Sequence, residues 1–410
     1  MKKSFVGSAL FLCYNWPMKV LFFNYEYPPL GAGAANASAY ILEEFSKIPG
    51  LEVDFVTSSI DRNYHLKEIG TNVKIHRLPI GKNGKKLHYQ SKKDIIIYTL
   101  KTFFFSRKLI RKAENSGQPY NLTHSFFTVP CGFVSLIFRK QYNIPYIISL
   151  RGSDVPGYSD RFIFLYNFLK PLVKFIWNNA AEVVSNSEGL RDLARKTDNR
   201  QDFGIIYNGV DIETFKPAPE ARPNDKFIIT NGASRITARK GYGYLIEAVN
   251  RLQKKYPNLL AKIMGEGDDK KRLEGLVKNL ELENNVQLLG RIHRDKLAPY
   301  YQEASLFVMP SLNEGMSNAM LEALASGLPI ITTETGGTKE LVKDRTNGLI
   351  INMKDAEDMA QKISLLIDNL ELRNKMAVAN RELAKTMSWG SVANQYFDLY
   401  KNVTAAKLEK

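Results

Sequence analysis

Two glutamates, Glu314 and Glu322, stand with seven residues between them in the stretch PSLNEGMSNAMLEALASGLP. Carboxylates accept hydrogen bonds from hydroxyl groups, so such a pair suits a ligand with vicinal hydroxyls. Ser317 and Asn318, between the two acids, are residue types that begin helices. A helix amino terminus presents free N–H groups and a positive dipole end to an anion. The spacing therefore predicts a site for a ligand that combines hydroxyls with a negative charge such as a diphosphate.

The elements around the two acids are predicted to be a strand, a loop, a helix and a second strand. Leu306 to Met309 and Leu328 to Thr333 are short apolar runs with turn residues at their ends, which is typical of buried parallel strands. Ala319 to Ser326, between them, is rich in helix-forming residues. The loop Leu312 to Asn318 then lies at the carboxyl end of its strand, where open α/β sheets bind ligands.

A second group of candidate residues follows the predicted strand Phe227 to Asn231. Arg235 and Lys240, in the run NGASRITARKG, lie at the carboxyl end of that strand in this interpretation. Arginine offers a planar fork and lysine a point charge, and both suit a diphosphate. Taken alone, the two residues are equally compatible with an ordinary solvated loop.

The whole chain alternates short apolar runs with amphipathic stretches, which predicts two successive α/β domains with parallel sheets covered by helices. Its 410 residues are enough for two cores of ordinary size. We expect a first domain over 18–215, a second over 216–388 and a final helical segment over 389–410. The Pro-rich stretch 215–225 is predicted to be the linker. The active site is expected in the cleft between the domains.

The first 17 residues fit this pattern poorly, since a basic pair precedes an apolar run of about ten residues, too short to span a bilayer. We expect a disordered extension or an upstream start artefact over 1–17, and a signal peptide is the alternative. Cys13 and Cys131 are too few for a disulfide framework or a zinc site, which fits a reducing cytosol.

These residues resemble the retaining glycosyltransferases of family 4, which have the GT-B fold. The family motif P-S-x-x-E-G-x-x-x-x-x-L-E-A-x-A-x-G-x-P is matched without a gap by the stretch that holds both glutamates. The resemblance extends through YPPLGAG, RGSD, SNSEGL, YNGVDIETF, SRITARKG and GEGD, and so covers nearly the whole chain from Met18. It implies two Rossmann-like domains facing across a cleft, an acceptor-side domain first and a nucleotide-sugar-binding domain second. The final helix would cross back to the first domain.

The resemblance implies a nucleotide diphosphate sugar as the donor substrate. Glu314 would act at the donor sugar, and Glu322 would bind the ribose hydroxyls. Arg235 and Lys240 would bind the diphosphate, with Lys240 acting in catalysis by stabilising the leaving nucleotide. Further donor contacts are implied for Gly33, for Arg291 and for the backbone of Ser317, Asn318 and Ala319.

On the acceptor side, the resemblance implies roles for His124, Arg151 and Asp154. His124 stands where the family has H-x-H and is the candidate acid or base, although Phe126 replaces the second histidine. Arg151 replaces a frequent histidine, and Asp154 is retained three residues later. An arginine at this place favours an anionic acceptor, such as a phosphate-bearing lipid or an acidic sugar.

The implied activity is the transfer of a hexosyl group to an acceptor hydroxyl with retention, in cell-surface polysaccharide or glycolipid synthesis, without a cofactor. The chain contains no D-x-D, so we expect basic residues and the helix terminus, rather than a divalent metal, to meet the phosphate charge. A sugar-nucleotide epimerase on the same fold is one alternative. A basic nucleic-acid-binding protein is another, but helix-turn-helix, RNA-recognition and zinc-finger patterns are absent from the sequence.

The net charge of +15 is concentrated in the first half of the chain. Residues 1–210 hold 28 Lys and Arg against 16 Asp and Glu. Between Lys82 and Lys112 there are ten basic residues and one acid, with phenylalanines at 103–105. The stretch 94–113 predicts a basic amphipathic helix suited to an anionic bilayer, and a partly buried helix with a solvated face is the alternative. We expect a cytoplasmic protein, peripheral on the membrane, whose partners are the sugar nucleotide and a saccharide or lipid-linked acceptor, not nucleic acid.

Overall fold

The chain folds around two mostly parallel β-sheets, each covered by helices. The computed structural model describes residues 18–31, 33–82, 84, 90–158, 163–218, 226–232, 234–313 and 316–408. The extension predicted over 1–17 and most of the predicted linker therefore lie outside the described residues.

The first sheet has the strand order β3-β4-β2-β1-β5-β6-β7-β8. All neighbours pair in parallel except β3, which lies antiparallel to β4 at the edge. Its strands are β1 (Met18–Phe23), β2 (Leu51–Ser58), β3 (His65–Ile69), β4 (Val73–Leu78), β5 (Leu122–Phe126), β6 (Tyr146–Ser149), β7 (Glu182–Ser185) and β8 (Gly204–Ile205). The helices of this part are α1 (Gly33–Phe45), α2 (Lys92–Asn115), α3 (Phe133–Tyr142), α4 (Ile163–Asn178) and α5 (Glu188–Thr197).

The second sheet has the order β10-β11-β9-β13-β14-β15, with β12 also paired to β11. Its strands are β9 (Phe227–Thr230), β10 (Ser234–Arg235), β11 (Leu259–Glu266), β12 (Val286–Gly290), β13 (Leu306–Met309), β14 (Ile330–Thr333) and β15 (Gly348–Ile351). Its helices are α6 (Tyr242–Leu252), α7 (Lys270–Asn279), α8 (Ala298–Glu303), α9 (Asn318–Ala325), α10 (Thr338–Leu341), α11 (Ala356–Asp368) and α12 (Leu370–Thr386).

The central strands are covered on both faces, which explains their unbroken apolar runs. All four residues of β13 are buried, as are all four of β6. In each sheet the order of strand addition reverses at the centre, between β1 and β5 in the first sheet and between β9 and β13 in the second. Loops that leave a parallel sheet at such a point diverge and open a crevice for ligands. The two doubly wound sheets predicted from the sequence are thus confirmed.

The last helix, α13 (Trp389–Leu408), returns to the first sheet. Val392, Tyr396 and Tyr400 of this helix are buried in the core that holds β1, β2 and β5. The segment that leads from the first sheet to the second (the outward crossing) lies beside the segment that leads back (the return crossing). On the outward crossing, Val210 N–H donates to the Met387 carbonyl oxygen on the return crossing at 2.9 Å. The domain boundaries at 215 and 388 themselves stay predictions.

The predicted basic amphipathic helix is α2, which is longer by a few residues than the stretch 94–113. Ser91 begins it with a capping box, in which its hydroxyl accepts from Asp94 N–H and the Asp94 carboxylate accepts from Ser91 N–H. Across the described residues, no helix combines the length and apolar character needed to cross a membrane.

Candidate functional site

A cleft of about 760 Å³ opens between the two sheets at the carboxyl ends of their central strands. The first domain lines it with loops after β1, β5 and β6 and with the start of α5. The second domain lines it with loops after β9 and β13 and with the start of α9. The two switch points therefore face each other, as the arrangement of the sheets requires.

Hydrogen bonds to the backbone of β11 hold the loop after β9 in place. Asn231 accepts from Met264 N–H at 2.8 Å through Oδ1, and its Nδ2 donates to the Met264 carbonyl at 3.2 Å. Ile236 N–H donates to the Glu266 carbonyl at 2.9 Å. These bonds tie the ends of β9 and β11 together and set the direction in which Arg235 leaves the sheet.

Lys240 and its neighbours reach the cleft because of a glycine. Gly241 has φ of +70° and lies against the Pro310 carbonyl group, so closely that a Cβ at that position would clash with the Pro310 backbone. The short 3-10 turn Ala238–Lys240 is thereby packed onto the loop that follows β13. Arg235, Arg239 and Lys240 all line the cleft.

Helix α9 points its amino terminus into the same cleft. Ser317 is its N-cap, and the hydroxyl accepts from Met320 N–H at 3.4 Å. Ser317, Asn318 and Ala319 line the cleft. The free N–H groups and positive dipole end of the helix therefore face the same space as Lys240, which suits a bound phosphate.

The structure describes the position of Glu322 but not that of Glu314. Glu314 lies outside the described residues, so its role stays a prediction. Glu322 is buried one turn inside α9 and is not among the residues that line the cleft. Its Oε2 accepts from the Tyr301 hydroxyl at 2.7 Å, and its Oε1 lies 3.6 Å from Arg294 Nη2. Burial raises the pKa of Glu322, and Arg294 and the Tyr301 hydrogen bond oppose that shift.

In the first domain, the loop after β1 is held by Asn24. Its Nδ2 donates to the Ala34 carbonyl at 3.3 Å and to Ser38 Oγ at 3.2 Å. This brings Gly33, the first residue of α1, to the edge of the cleft. A Cβ at Gly33 would lie 3.8 Å from Asn318 Nδ2, so the two helix amino termini face each other across the cleft.

Arg151 also lines the cleft, at the end of β6. Its guanidinium lies over the ring of Phe126, 3.5 Å from the centroid, and Nη1 donates to Asn208 Oδ1 at 2.9 Å. Asn208 Nδ2 in turn donates to Asn318 Oδ1 at 3.3 Å. A polar chain Arg151–Asn208–Asn318 thus joins the two domains across the floor of the cleft.

The structure corrects the prediction for His124. The side chain is fully buried and is not among the residues that line the cleft. Its ring stacks on Phe22 at 4.2 Å, Nδ1 lies 2.7 Å from the Tyr400 hydroxyl, and Nε2 lies 2.8 Å from Ser149 Oγ. Burial, together with the positive charge of Arg151, lowers the pKa of His124 well below its ordinary value. Both nitrogens contact hydroxyl groups in the core, so the His124 side chain does not face the cleft.

Two further predicted contacts also lie elsewhere. Asp154 is 2% exposed, and its carboxylate accepts from the backbone N–H groups of Arg151 and Thr128, both at 2.9 Å. It therefore holds the loop after β6 in shape. Arg291 is exposed on the loop after β12 and lies outside the set of residues that line the cleft.

The cleft contains residues that the sequence did not single out. Asn208 lies in the run YNGVDIETF, whose resemblance to the family was noted without a role for that asparagine. Lys196 lies in the last turn of α5, where a basic residue is typical of any solvated helix end, so no local signal distinguishes it. Basic side chains outnumber acidic ones among the described residues that line the cleft: Arg151, Lys196, Arg235, Arg239 and Lys240 against Glu26 and Asp192. The arrangement favours an anionic ligand.

Two family models match adjoining parts of the chain. The model described as Glycosyltransferase Family 4 matches residues 32–214, and the model described as Glycosyl transferases group 1 matches residues 211–383. The two matches meet where the chain crosses from the first sheet to the second. Together they take in all the described residues that line the cleft except Glu26.

Relatives and a solved structure agree with these matches. An uncharacterized glycosyltransferase from Methanocaldococcus jannaschii is 27% identical over 91% of this chain and 95% of its own. A D-inositol 3-phosphate glycosyltransferase from Corynebacterium urealyticum is 24% identical over 90% of this chain and 91% of its own. The crystal structure of the Anabaena protein HepE in complex with UDP aligns with a TM-score of 0.68 at 17% identity, over 94% of this chain and all of HepE. At that identity the likeness concerns the fold.

Proposed function

The chain belongs to the group 1 glycosyltransferases of family 4, and from this premise we propose that it moves a hexosyl group from a nucleotide diphosphate sugar to an acceptor hydroxyl, with retention. The observation that carries the proposal is the meeting of Arg235, Lys240 and the amino terminus of α9 in one cleft between two doubly wound sheets. Such a set of donors suits a diphosphate, which bears its charge on several oxygens at once.

The diphosphate of the donor is proposed to lie between Lys240 and the amino terminus of α9. HepE, with the same fold, was solved in complex with UDP, which supports a nucleotide as part of the donor here. Arg235 is paired with Asp268 at 3.1 Å on an exposed surface, so it can turn toward a phosphate at little cost. Glu314 is proposed to act at the donor sugar. Glu322 is proposed to bind the ribose hydroxyls of the donor through its carboxylate.

Charge that grows on the departing diphosphate is proposed to be met by Lys240, Arg235 and the helix terminus, without a divalent metal. Preorganised donors in a cleft of this kind stabilise the transition state because they need no reorganisation as charge develops. A chelator should therefore leave turnover unchanged.

Retention is proposed to follow from attack on the face that the diphosphate leaves. The acceptor oxygen forms a bond to the anomeric carbon as the bond from that carbon to the phosphate oxygen breaks, and the acceptor proton passes to the departing phosphate oxygen. His124 takes no part in this scheme, since its ring is neutral and buried.

The acceptor is proposed to carry a negative charge, such as a phosphate. Arg151 and Lys196 bring positive charge to the first-domain wall of the cleft, where the acceptor must lie if the donor occupies the second. The D-inositol 3-phosphate glycosyltransferase among the relatives acts, by its name, on a phosphorylated acceptor, which supports this class. Cell-surface polysaccharide or glycolipid synthesis would use such a reaction.

The membrane is proposed to bind one exposed row of α2. Residues four apart are neighbours on a helix surface, and a ridge of such neighbours winds around the helix by about 40° per step. Lys92, Ile96, Leu100, Phe104, Lys108 and Lys112 form such a ridge, all exposed. We call it the α2 row. Its three apolar members are 55% to 60% exposed, and lysines flank them at both ends. An apolar stripe bounded by lysines matches the acyl boundary and headgroups of an anionic bilayer.

The α2 row differs from the aromatic face that the sequence suggested. Phe103 and Phe105 pack against the first-domain core, with Phe103 stacked on Phe138 at 5.7 Å. Only Phe104 of the three phenylalanines points outward. Membrane binding and a cytoplasmic location stay proposals.

The direct test is incubation of the purified protein with a panel of UDP-, GDP- and ADP-sugars and phosphorylated or lipid-linked acceptors, with and without a chelator. Transfer of sugar to the acceptor, with the anomeric configuration of the donor kept, supports the proposal. Conversion of the nucleotide sugar to its epimer in the absence of any acceptor would instead support the epimerase alternative. Inversion at the anomeric carbon would exclude the retaining mechanism.

A further inference from the structure

Arg294 connects a carboxylate of the second domain to a ring of the first. It opens the 3-10 turn Arg294–Lys296 after β12. Its Nη2 lies 3.6 Å from Glu322 Oε1, and its guanidinium carbon lies 4.8 Å from the centroid of the Tyr40 ring. Tyr40 belongs to α1, so one side chain touches the proposed ribose-binding residue and the opposite domain together.

The Tyr40 ring lies where the chain crosses between the domains. It stacks on Trp389 with ring centroids 5.3 Å apart and planes 3° apart. Gly209, on the outward crossing, packs against the same indole, since a Cβ at Gly209 would come within 2.6 Å of Trp389 Cδ2. Arg294 therefore reaches, through the Tyr40 ring, the place where Trp389 and Gly209 of the two crossings meet.

The surroundings of Glu322 give this contact an electrostatic consequence. Tyr301 and Arg294 face its carboxylate, and Tyr40 and Asp211 lie close enough to Arg294 to interact with its charge. A carboxylate that is buried without a nearby positive charge tends to take up a proton, and a protonated carboxyl is a poorer acceptor for hydroxyl groups. Arg294 is the basic side chain that opposes this among the described residues around Glu322.

We propose that Arg294 is a positioning residue, which holds Glu322 charged and oriented for the donor's ribose and couples nucleotide binding to the interdomain crossing through Tyr40. The inference rests on the proposed function of Glu322. It goes further because it assigns a role to a residue that need not touch the donor.

Calorimetric titration of UDP, GDP and ADP into the full chain, from about pH 5 to about pH 8, tests the inference. Arg294→Ala should weaken binding of the preferred nucleotide about tenfold at neutral pH, because it removes the charge beside Glu322. The pH below which affinity falls should also move upward, since the Tyr301 hydrogen bond then opposes the effect of burial on the Glu322 pKa without the help of Arg294. Arg294→Lys, which keeps the charge, should restore most of the affinity and return the pH profile toward wild type.

Tyr40 tests the coupling separately. Tyr40→Phe keeps the ring under Arg294 and removes only the hydroxyl that interacts with it, whereas Tyr40→Leu removes both, so nucleotide binding should weaken more in Tyr40→Leu than in Tyr40→Phe. Lys296→Ala, an exposed position in the same 3-10 turn, is the matched control and should have no effect. Thermal unfolding of every variant separates loss of folding from loss of binding.

The outcomes distinguish this inference from the proposed function. If Glu322→Gln weakens binding but Arg294→Ala leaves both affinity and pH profile unchanged, the inference is wrong and the proposed function stands. If Glu322→Gln binds as tightly as wild type, the ribose contact fails and the inference fails with it. If UDP, GDP and ADP all fail to bind the wild-type chain, both are overturned.

Discussion

Gly189, at the start of α5 in the first domain, lies directly against the backbone of Gly336 in the second. A Cβ at Gly189 would come within 2.8 Å of the Gly336 carbonyl carbon and 2.9 Å of its Cα. Both glycines line the cleft. The width of the cleft at this edge is therefore set by a contact between two backbones that leaves no room for a side chain.

Gly189→Ala should force the domains apart and misplace donor and acceptor. A shift of about 1 Å at reacting groups can lower turnover on the order of 10²-fold, and we expect a loss on that scale in kcat/KM. Gly275→Ala is the matched control, because a Cβ on this α7 residue would meet nothing within 4 Å. Steady-state rates and thermal unfolding of both variants would check this. Wild-type kcat/KM in Gly189→Ala would show that the contact yields at no cost to catalysis.

Lys240→Ala should lower kcat by about 10²-fold or more, the scale for loss of one preorganised group that stabilises charge in a transition state. Lys240 is 8% exposed and faces the amino terminus of α9 across the cleft, so solvent offers little replacement for it. Lys343→Ala, at an exposed position of the same domain, is the control. Unchanged turnover at saturating donor would remove Lys240 from the mechanism.

Substitution of each of the two glutamates should change a different kinetic constant. Glu322→Ala should mainly raise the donor KM, because the residue is proposed to bind the ribose, whereas Glu314→Ala should lower kcat with any donor. Single-turnover measurements at saturating donor, combined with nucleotide titrations, separate binding from chemistry. Equal losses of nucleotide affinity in both variants, with turnover at saturation intact, would mean that the roles are assigned wrongly.

His124 should contribute to a loss of stability at acid pH. The folded protein holds the imidazole neutral with its pKa lowered by burial, whereas the unfolded chain takes up a proton below its ordinary pKa of about 6.5. The free energy of unfolding should therefore fall as pH drops below about 6.5, by up to about 1.4 kcal/mol per pH unit from this residue.

Urea unfolding of His124→Gln at several pH values would check the effect. The variant should be less stable at neutral pH but less sensitive to acid, while His65→Gln, at an exposed strand position, is the control. Folded His124→Gln should retain turnover. A loss comparable to that of Lys240→Ala would restore His124 as a catalytic candidate.

The α2 row should carry the protein to anionic vesicles. Sedimentation with liposomes should require anionic lipid and weaken with salt through screening, since each basic residue near such a surface contributes about 1 kcal/mol. The triple change Ile96→Ser, Leu100→Ser and Phe104→Ser should abolish binding. Leu370→Ser with Val378→Ser, which removes equally exposed apolar groups from α12, should not. If the wild type ignores anionic vesicles at low salt, the acceptor is more plausibly a soluble molecule.

Local features of this chain could be predicted from its sequence because short-range physics decides them. The strand Leu306–Met309 was predicted to the residue, and Ser317, the cap of the helix that follows, is one of the two residues, with Asn318, that were predicted to begin it. Apolar periodicity and capping chemistry depend only on near neighbours in the chain. For the same reason Arg235, Lys240 and the start of α9, which sit at strand ends, were expected in the cleft and line it.

Side-chain direction was decided by the tertiary structure. His124 lies within β5 and Asp154 in the loop after β6, and both side chains are turned into the core by partners from other segments, such as Tyr400 and Thr128. Phe103 and Phe105 likewise face inward, although the run of three phenylalanines looks the same in sequence. A local pattern gives the position of a residue on its element but not the neighbours that packing brings to it.

The contacts that join the domains were beyond the reach of the sequence. Each of these contacts joins residues from different segments, which meet only when both sheets have formed and face each other. The contacts are Gly189 with Gly336, Asn208 with Asn318, and Arg294 with Tyr40. Such pairs carry no periodic or capping signal, because nothing in the neighbourhood of either partner depends on the other. Local sequence patterns were enough to predict the two sheets and the charged residues at the ends of their strands. The tertiary contacts between the two sheets decided which of these residues form one site.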